Sequence, residues 1–359
     1  MTEPSKGSTE AKPPTAAPPP FTPSVWGIHD AQAEGNPMPT GCGYFRITLP
    51  LDQLAAHGWK VHYQAFTPPA EVAGYRLIVG ERLDRPQVLG AWRRLRQGHR
   101  LAYEIDDDVW NVDVTNFNAY SVFSRLSVID AVESSIVTSD LVTVTTEALA
   151  ETVRARTDHP NVKVIGNYLP ASVLTTERKR SKHVTIGYAG GASHAMDIAT
   201  IATSVRKVLD RDPSLRLHVV GVDYRPTLGH NHAYHTKWVD NPADYCLGMA
   251  QSLDFDIGLA PLAPTRFNYS KSHLKALEYA AMGIPVVASD FGPYPGFVID
   301  GVTGFLVTTK QQWRDRIREL VADADLRESM GAKARELAAQ HTIEGNWHRW
   351  AAAYQEVLT

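Results

Sequence analysis

Lys271, Lys275 and Glu278 stand four and three positions apart in KSHLKALEYAAMGIPVVAS, Lys271 to Ser289. On a helix this spacing puts two cations and a carboxylate on one face, beside the first turn and its unpaired backbone N–H groups. Cations and the positive end of a helix dipole suit a phosphate; a carboxylate suits sugar hydroxyls. A solvated helix face would show the same residues. Two features weigh against it: Lys271 and Lys275 repel by about 0.2–0.5 kcal/mol, and the helix opens at the expected ligand edge. A second cradle lies in VTIGYAGGASHAMD, Val184 to Asp197, where a strand runs into Gly190 and Gly191 and Ser193 leads into a helix. Tight turning alone also explains the glycine pair, and His194 reads equally as a helix-start residue.

The surrounding elements give these residues a common edge. Asp256 to Leu262 reads as a buried strand, Ile284 to Ala288 as another, and Leu274, Leu277 and Ala281 recur at helical spacing between them, with Gly283 at the helix end. In a strand, loop, helix, strand unit of a doubly wound protein, the loop after the first strand lies at the carboxyl edge of the sheet, where ligands bind. The site is therefore expected near Asn268 to Glu278.

At Glu278, GIPVVAS and the later GVTGFLV (Gly301 to Val307) the chain resembles the carboxyl-terminal half of retaining GT-B glycosyltransferases, especially family 4. The resemblance implies an α/β GT-B fold, two Rossmann-like domains facing a central cleft. It implies that Glu278 holds the nucleotide ribose, with Lys271 and Glu278 in catalytic roles. Asn268, Ser270, Ser272, Lys275, Gly190, Gly191, Ser193 and His194 then bind the donor. Ser270 stands where the family carries an acidic residue, and Lys271, Ser272 and Lys275 look like the variant with a KSxxKxxEY run. The family's Arg and Lys after the first strand of this half are missing, with His194 in their place, so Lys271 is expected to carry much of the positive charge.

In the amino-terminal half, VWGI (Val25 to Ile28) reads as a strand, followed by a loop with Gly35, Gly41 and Gly43 and a helix from Tyr44 to His57. Gly43 lets the chain approach a ligand or merely turn, and Arg46 is either a cleft cation or a surface one. By resemblance this loop faces the donor phosphates. LAYEI ends in Asp106, Asp107 and Asp108, whose mutual repulsion calls for solvent, a cation or sugar hydroxyls. Helix capping, an Asp-x-Asp metal site and an acceptor-side role for Asp107 and Asp108 are the three readings. The last follows related GT-B sequences, and no metal is expected. Trp92 to Arg100 carries four arginines that suit a solvated helix end, an anionic acceptor or a membrane surface. HNHAYH, His230 to His235, reads as a loop without ligand spacing, and Lys237 to Val239 as a short strand.

The 359 residues suit two domains, and 43% hydrophobic with 21% charged residues is a globular composition. A net charge of −3 gives no reason to expect nucleic acid as a general partner. Cys42 and Cys246 are too few and too far apart for a disulfide framework, which fits a reducing cytoplasm. The expected division is a proline-rich disordered tail (1–24), an acceptor-side Rossmann-like domain (25–172), a linker (173–183), a nucleotide-sugar-binding Rossmann-like domain (184–342) and a last helix (343–359) that by resemblance returns to the first domain. No stretch reaches the length of a membrane span, though peripheral membrane contact stays open.

The function expected is transfer of a sugar from a nucleoside diphosphate sugar to an acceptor hydroxyl, with retention implied by resemblance. The donor is a substrate, and no cofactor is required. Protein, lipid-linked sugar, small molecule and modified nucleic acid all remain open as acceptors. Two alternatives stand beside it: a nucleotide-sugar epimerase of the same fold, and an inactive sugar-nucleotide-binding relative.

Overall fold

The computed structural model describes residues 22–30, 38–65, 72–175, 181–229, 232–237, 241 and 253–359. The expected disordered tail falls largely outside these residues, as do Gly35, Cys246, His230, Trp238 and Val239. Two six-stranded parallel sheets organise the chain. The first holds β1 (Ser24–His29), β2 (Lys60–Ala65), β3 (Leu77–Glu81), β4 (Arg100–Ile105), β5 (Leu141–Val144) and β6 (Val162–Val164), in the order β2-β1-β3-β4-β5-β6. Every residue of β3 and β5 is buried, because helices cover both faces of a parallel sheet.

The second sheet holds β7 (Thr185–Gly190), β8 (Arg216–Gly221), β9 (Ala233–Thr236), β10 (Ile257–Ala260), β11 (Val286–Ser289) and β12 (Gly304–Val307), in the order β12-β11-β10-β7-β8-β9. Strand order reverses between β1 and β3 in one sheet and between β10 and β7 in the other. At such a switch point the following loops diverge and leave a crevice at the carboxyl ends of the strands.

Three local expectations need correcting. The helix expected over Tyr44 to His57 starts earlier, at Gly41, and is wound as a π-helix over Tyr44–Thr48 before an α-helix over Leu49–Ala56. The second half of HNHAYH is not loop but edge strand, since Ala233 to Thr236 pair with Leu217 to Val220. Lys237 falls just beyond that strand. The helix of the Lys271 segment spans only Leu274–Ala281, so Lys271 and Ser272 lie in the turn ahead of it. Gly283 closes this helix at φ 66°, a conformation glycine adopts without steric cost.

The chain passes between the sheets twice, and the two passages touch. Leu169 forms a parallel bridge with Thr342; its N–H donates to the His341 carbonyl at 3.1 Å, and its carbonyl accepts from the Ile343 N–H at 2.9 Å. After the second passage the helix His348–Leu358 packs against β4 and β5 of the first sheet. Trp350 Nε1 and Tyr354 Oη both donate to Glu104 Oε1 at 3.2 Å.

Candidate active site in the cleft

A cavity of about 300 Å³ lies between the carboxyl edges of the two sheets. Its wall on the second sheet comes from the turn after β7, with Gly190, Gly191, Ser193 and His194, and from Lys271, Ser272, Lys275 and Glu278. The facing wall comes from Gly41, Cys42 and Phe45, from Asp106 and Asp107 after β4, and from Asn167. A Cβ at Gly190 would lie 2.3 Å from the Tyr188 hydroxyl, so only glycine fits there. A Cβ at Gly191 would meet nothing within 4 Å, and the space beside it is the cavity.

The cations here are half-buried and committed. Lys275 Nζ donates to the Ala189 carbonyl and sits 4.7 Å over the Tyr188 ring. Burial lowers its pKa and raises that of Glu278, one turn along, while each charge favours the other. Lys271 Nζ lies 3.3 Å from Asp107 Oδ1, joining the two sides of the cleft, and 4.3 Å over the Phe267 ring. Burial pulls the Lys271 ammonium down, but Asp107 outweighs it and the net shift is upward. Burial likewise pushes Asp107 up, but Lys271 and Arg82 outweigh it and hold its carboxyl below the usual value. The pair is therefore ionised on both sides.

His194 is the neutral member. Burial lowers its pKa to about 4, and its Nδ1 lies 2.8 Å from Asp197 Oδ2. A carboxylate only accepts, which assigns the ring proton to Nδ1 and leaves Nε2 as an acceptor. The other Asp197 oxygen accepts from the Ala263 N–H at 2.8 Å and from Asn268 Nδ2 at 2.7 Å. One buried carboxylate thus ties together the turn after β7, the loop after β10 and the segment leading to Lys271.

Comparison with known proteins bears on this architecture. Over 94% of the chain it superposes on 99% of sucrose-phosphate synthase from Thermosynechococcus elongatus, with a TM-score of 0.68 at 14% identity. Anabaena Alr3699/HepE, solved in complex with UDP, matches over 93% of this chain and 100% of its own, with a TM-score of 0.63 at 14% identity. The fold is GT-B. Residues 274–337 match the model of the family Glycosyl transferases group 1. D-inositol 3-phosphate glycosyltransferase of Corynebacterium jeikeium is 28% identical over 215 residues, 54% of this chain and 49% of the relative. The enzyme of the same name from Paenarthrobacter aurescens is 38% identical over 92 residues, 24% of this chain and 22% of the relative. The chain spans about half the length of the first curated relatives it matches.

Several residues expected at the GT-B cleft are held behind its walls. Asn268 does not line the cavity, since Asp197 and the Ala263 carbonyl occupy its amide group. Ser270 Oγ donates instead to Asp108 Oδ2 across the cleft at 3.3 Å, and its carbonyl accepts from Thr146 Oγ1 at 2.8 Å. An acidic residue at 270 would face the Asp108 carboxylate, which accounts physically for serine where the resembled family carries an acid. Asp108 is itself buried and turned to Asn111 Nδ2, at 3.1 and 2.9 Å, and to Ser270. Arg46 is fully buried and faces no cleft. Its guanidinium donates to Glu104 Oε2 at 2.7 and 3.1 Å, to the Ile165 carbonyl at 2.6 Å and to Asn167 Oδ1 at 3.2 Å. Through Asn167, whose Nδ2 reaches Ser272 Oγ at 3.2 Å, Arg46 supports the wall from behind. Gly43 packs against the end of β1, where a Cβ would lie 2.8 Å from Asp30 Oδ1.

Sequence reasoning singled out Asp106 only as part of the acidic run and gave no site role to Cys42, Phe45, Asn167, Asp197 or Tyr294. Asn167 carried a usable signal, since it ends NVKVIGN (Asn161 to Asn167), the stretch that holds β6 and runs on to the carboxyl edge of the first sheet. Asp197 carried none, because a first-turn acid in a helix has an ordinary capping explanation.

Proposed function

We propose that this GT-B chain is a glycosyltransferase, taking a sugar from a nucleoside diphosphate sugar bound against the second sheet and placing it on an acceptor hydroxyl held by the first. The observation carrying this reading is the convergence of half-buried Lys271 and Lys275 with buried Glu278 on one cavity, facing the Gly190–Ser193 turn. Cleavage of the anomeric bond puts charge on the departing diphosphate, and preorganised cations and N–H groups lower the barrier where that charge develops. An ammonium about 4 Å from a phosphate oxygen contributes a Coulomb term of roughly 4 kcal/mol at an effective dielectric of ~20, before desolvation. Glu278 accepts hydrogen bonds from the ribose hydroxyls, and its reluctance to ionise is relieved by those donors.

Resemblance to family 4 supports retention through a same-face route, with the leaving diphosphate helping to deprotonate the acceptor. UDP is the first nucleotide to try, because Alr3699/HepE was solved with UDP and with UDP-glucose. The missing Arg and Lys after β7, with Ser270, motivate the alternative of an inactive relative. Lys275, bonded to the carbonyl of Ala189 beside Gly190, supplies a cation at that place and favours turnover. Among the described residues no helix is long and apolar enough to cross a membrane. A cytoplasmic site of action belongs to this proposal and rests on the sparse cysteines.

Calorimetry of the purified chain with nucleoside diphosphates and nucleotide sugars tests the donor site. Selective binding, weakened by both Lys271→Ala and Glu278→Ala, is the expected result. Folded protein that binds no member of the panel would overturn the assignment. Product analysis with a bound donor then separates transfer to an acceptor from epimer formation.

A further inference from the structure

We propose that the first domain holds a thiophilic divalent cation of the zinc class between Cys42, Glu81 and Asp106, on the acceptor side of the cleft. These residues come from three elements that meet at the β1/β3 switch point: the helix start after β1, the end of β3, and the residue following β4. One donor atom from each lies within 4.8 Å of the other two. A zinc site with sulfur and oxygen ligands at about 2.0–2.3 Å needs these side chains to close by roughly 1 Å.

The second observation is a pair of orphaned acceptors: Glu81 Oε2 accepts from the Asp30 N–H at 3.0 Å, but the remaining oxygen has no such donor. Glu81 is 1% exposed, yet its Oε1 accepts no hydrogen bond, and neither does the buried Asp106 Oδ1. Buried carboxylate oxygens without donors are costly unless a ligand meets them. The neighbouring cation, Arg82, is taken by Asp30, with Nη2 2.7 Å from Oδ2. Its Nη1 also donates to Cys42 Sγ at 3.9 Å, and its Nε forms a long ion pair with Glu81 Oε1, again at 3.9 Å. Arg82 also holds φ at 41°, a left-handed conformation that a non-glycine residue keeps only where its surroundings enforce it.

The chemistry of the donor set selects the ion. Two carboxylates alone would suit magnesium or calcium, whereas a thiolate favours zinc and its soft neighbours. The three ligands offer up to three negative charges, more than the single charge of Arg82, which Asp30 and Glu81 share, can offset. Cys42 and Asp106 belong to the cavity wall, so an open coordination position would face the cavity.

Equilibrium dialysis of the full chain against Zn²⁺, with bound metal counted by mass spectrometry, and absorption spectra with Co²⁺ test the site. One ion per chain and a thiolate-to-cobalt charge-transfer band are expected. Cys42→Ser abolishes the band, Glu81→Gln weakens binding by about tenfold or more, and Cys246→Ser leaves both unchanged. Wild-type protein that retains no metal overturns the inference, and so does a band or stoichiometry unchanged in Cys42→Ser. Circular dichroism and thermal unfolding of the same variants report their folding without reference to nucleotide, which keeps this outcome separate from that of the donor site.

Discussion

Glu278 is a carboxyl group held where it resists ionisation, and the sign of its pH effect follows from that. Its folded-state pKa is raised above the ordinary 4.5 by burial, so the unfolded chain releases this proton at lower pH than the folded one. Stability from this group is full below pH 4.5 and is lost as pH rises through its folded value. Glu278→Gln removes the loss. The variant is expected to melt higher than wild type at neutral pH, with the difference shrinking toward pH 4.5, while nucleotide binding weakens. Thermal unfolding across pH 4 to 8 checks this, and a difference that does not vary with pH would count against it. Such a trade of stability for binding is common at functional sites.

The segment 270–272 works as an element docked on the opposite domain. Ser270 meets Asp108 and Thr146, Lys271 meets Asp107, and Ser272 meets Asn167. A diphosphate that needs Lys271 must therefore compete with Asp107. Asp107→Asn is expected to tighten nucleoside diphosphate binding severalfold, since surface and half-buried ion pairs hold by about 0.2–1 kcal/mol. Calorimetry gives the answer directly, and unchanged or weaker affinity would show that Asp107 does not hold Lys271 back. Sequence spacing made Lys275 and Glu278 legible as neighbours because 3.6-residue periodicity is a local property, whereas Lys271 reaches the same cavity from the turn ahead of the helix. The partner of Ser270 was not legible. It lies 162 residues away, and nothing in a single chain's pattern says which carboxylate a serine will meet.

Across the whole molecule the alternating strands and helices were legible, since buried parallel strands leave near-continuous apolar runs such as LVTV and PVVAS. What escaped was the buried polar network that joins the first domain to the last helix. Arg46 looked like a cleft or surface cation, because arginine is seldom buried unless paired and its partner Glu104 sits inside an apolar strand. Glu104 accepts from Arg46, Trp350 and Tyr354 together. Glu104→Gln leaves Arg46 charged and unpaired in the interior, and a loss of about 3–5 kcal/mol is expected by chemical denaturation. A loss under 1 kcal/mol would mean that the surrounding carbonyls suffice to hold the guanidinium.

The paired passages at Leu169 and Thr342 limit how this molecule can move. A single connecting strand is a swivel, free to bend in two directions and to twist. Two strands bonded side by side form a leaf hinge, which folds about one axis and resists torsion. The lobes are then left with one soft coordinate, opening and closing. Each closure returns Lys271 to Asp107 and Ser272 to Asn167 in the same register without a substrate to align them. Dye pairs placed to read opening and twist separately would show broad distances along the first and narrow ones along the second, and equal spread in both would remove the hinge from this account.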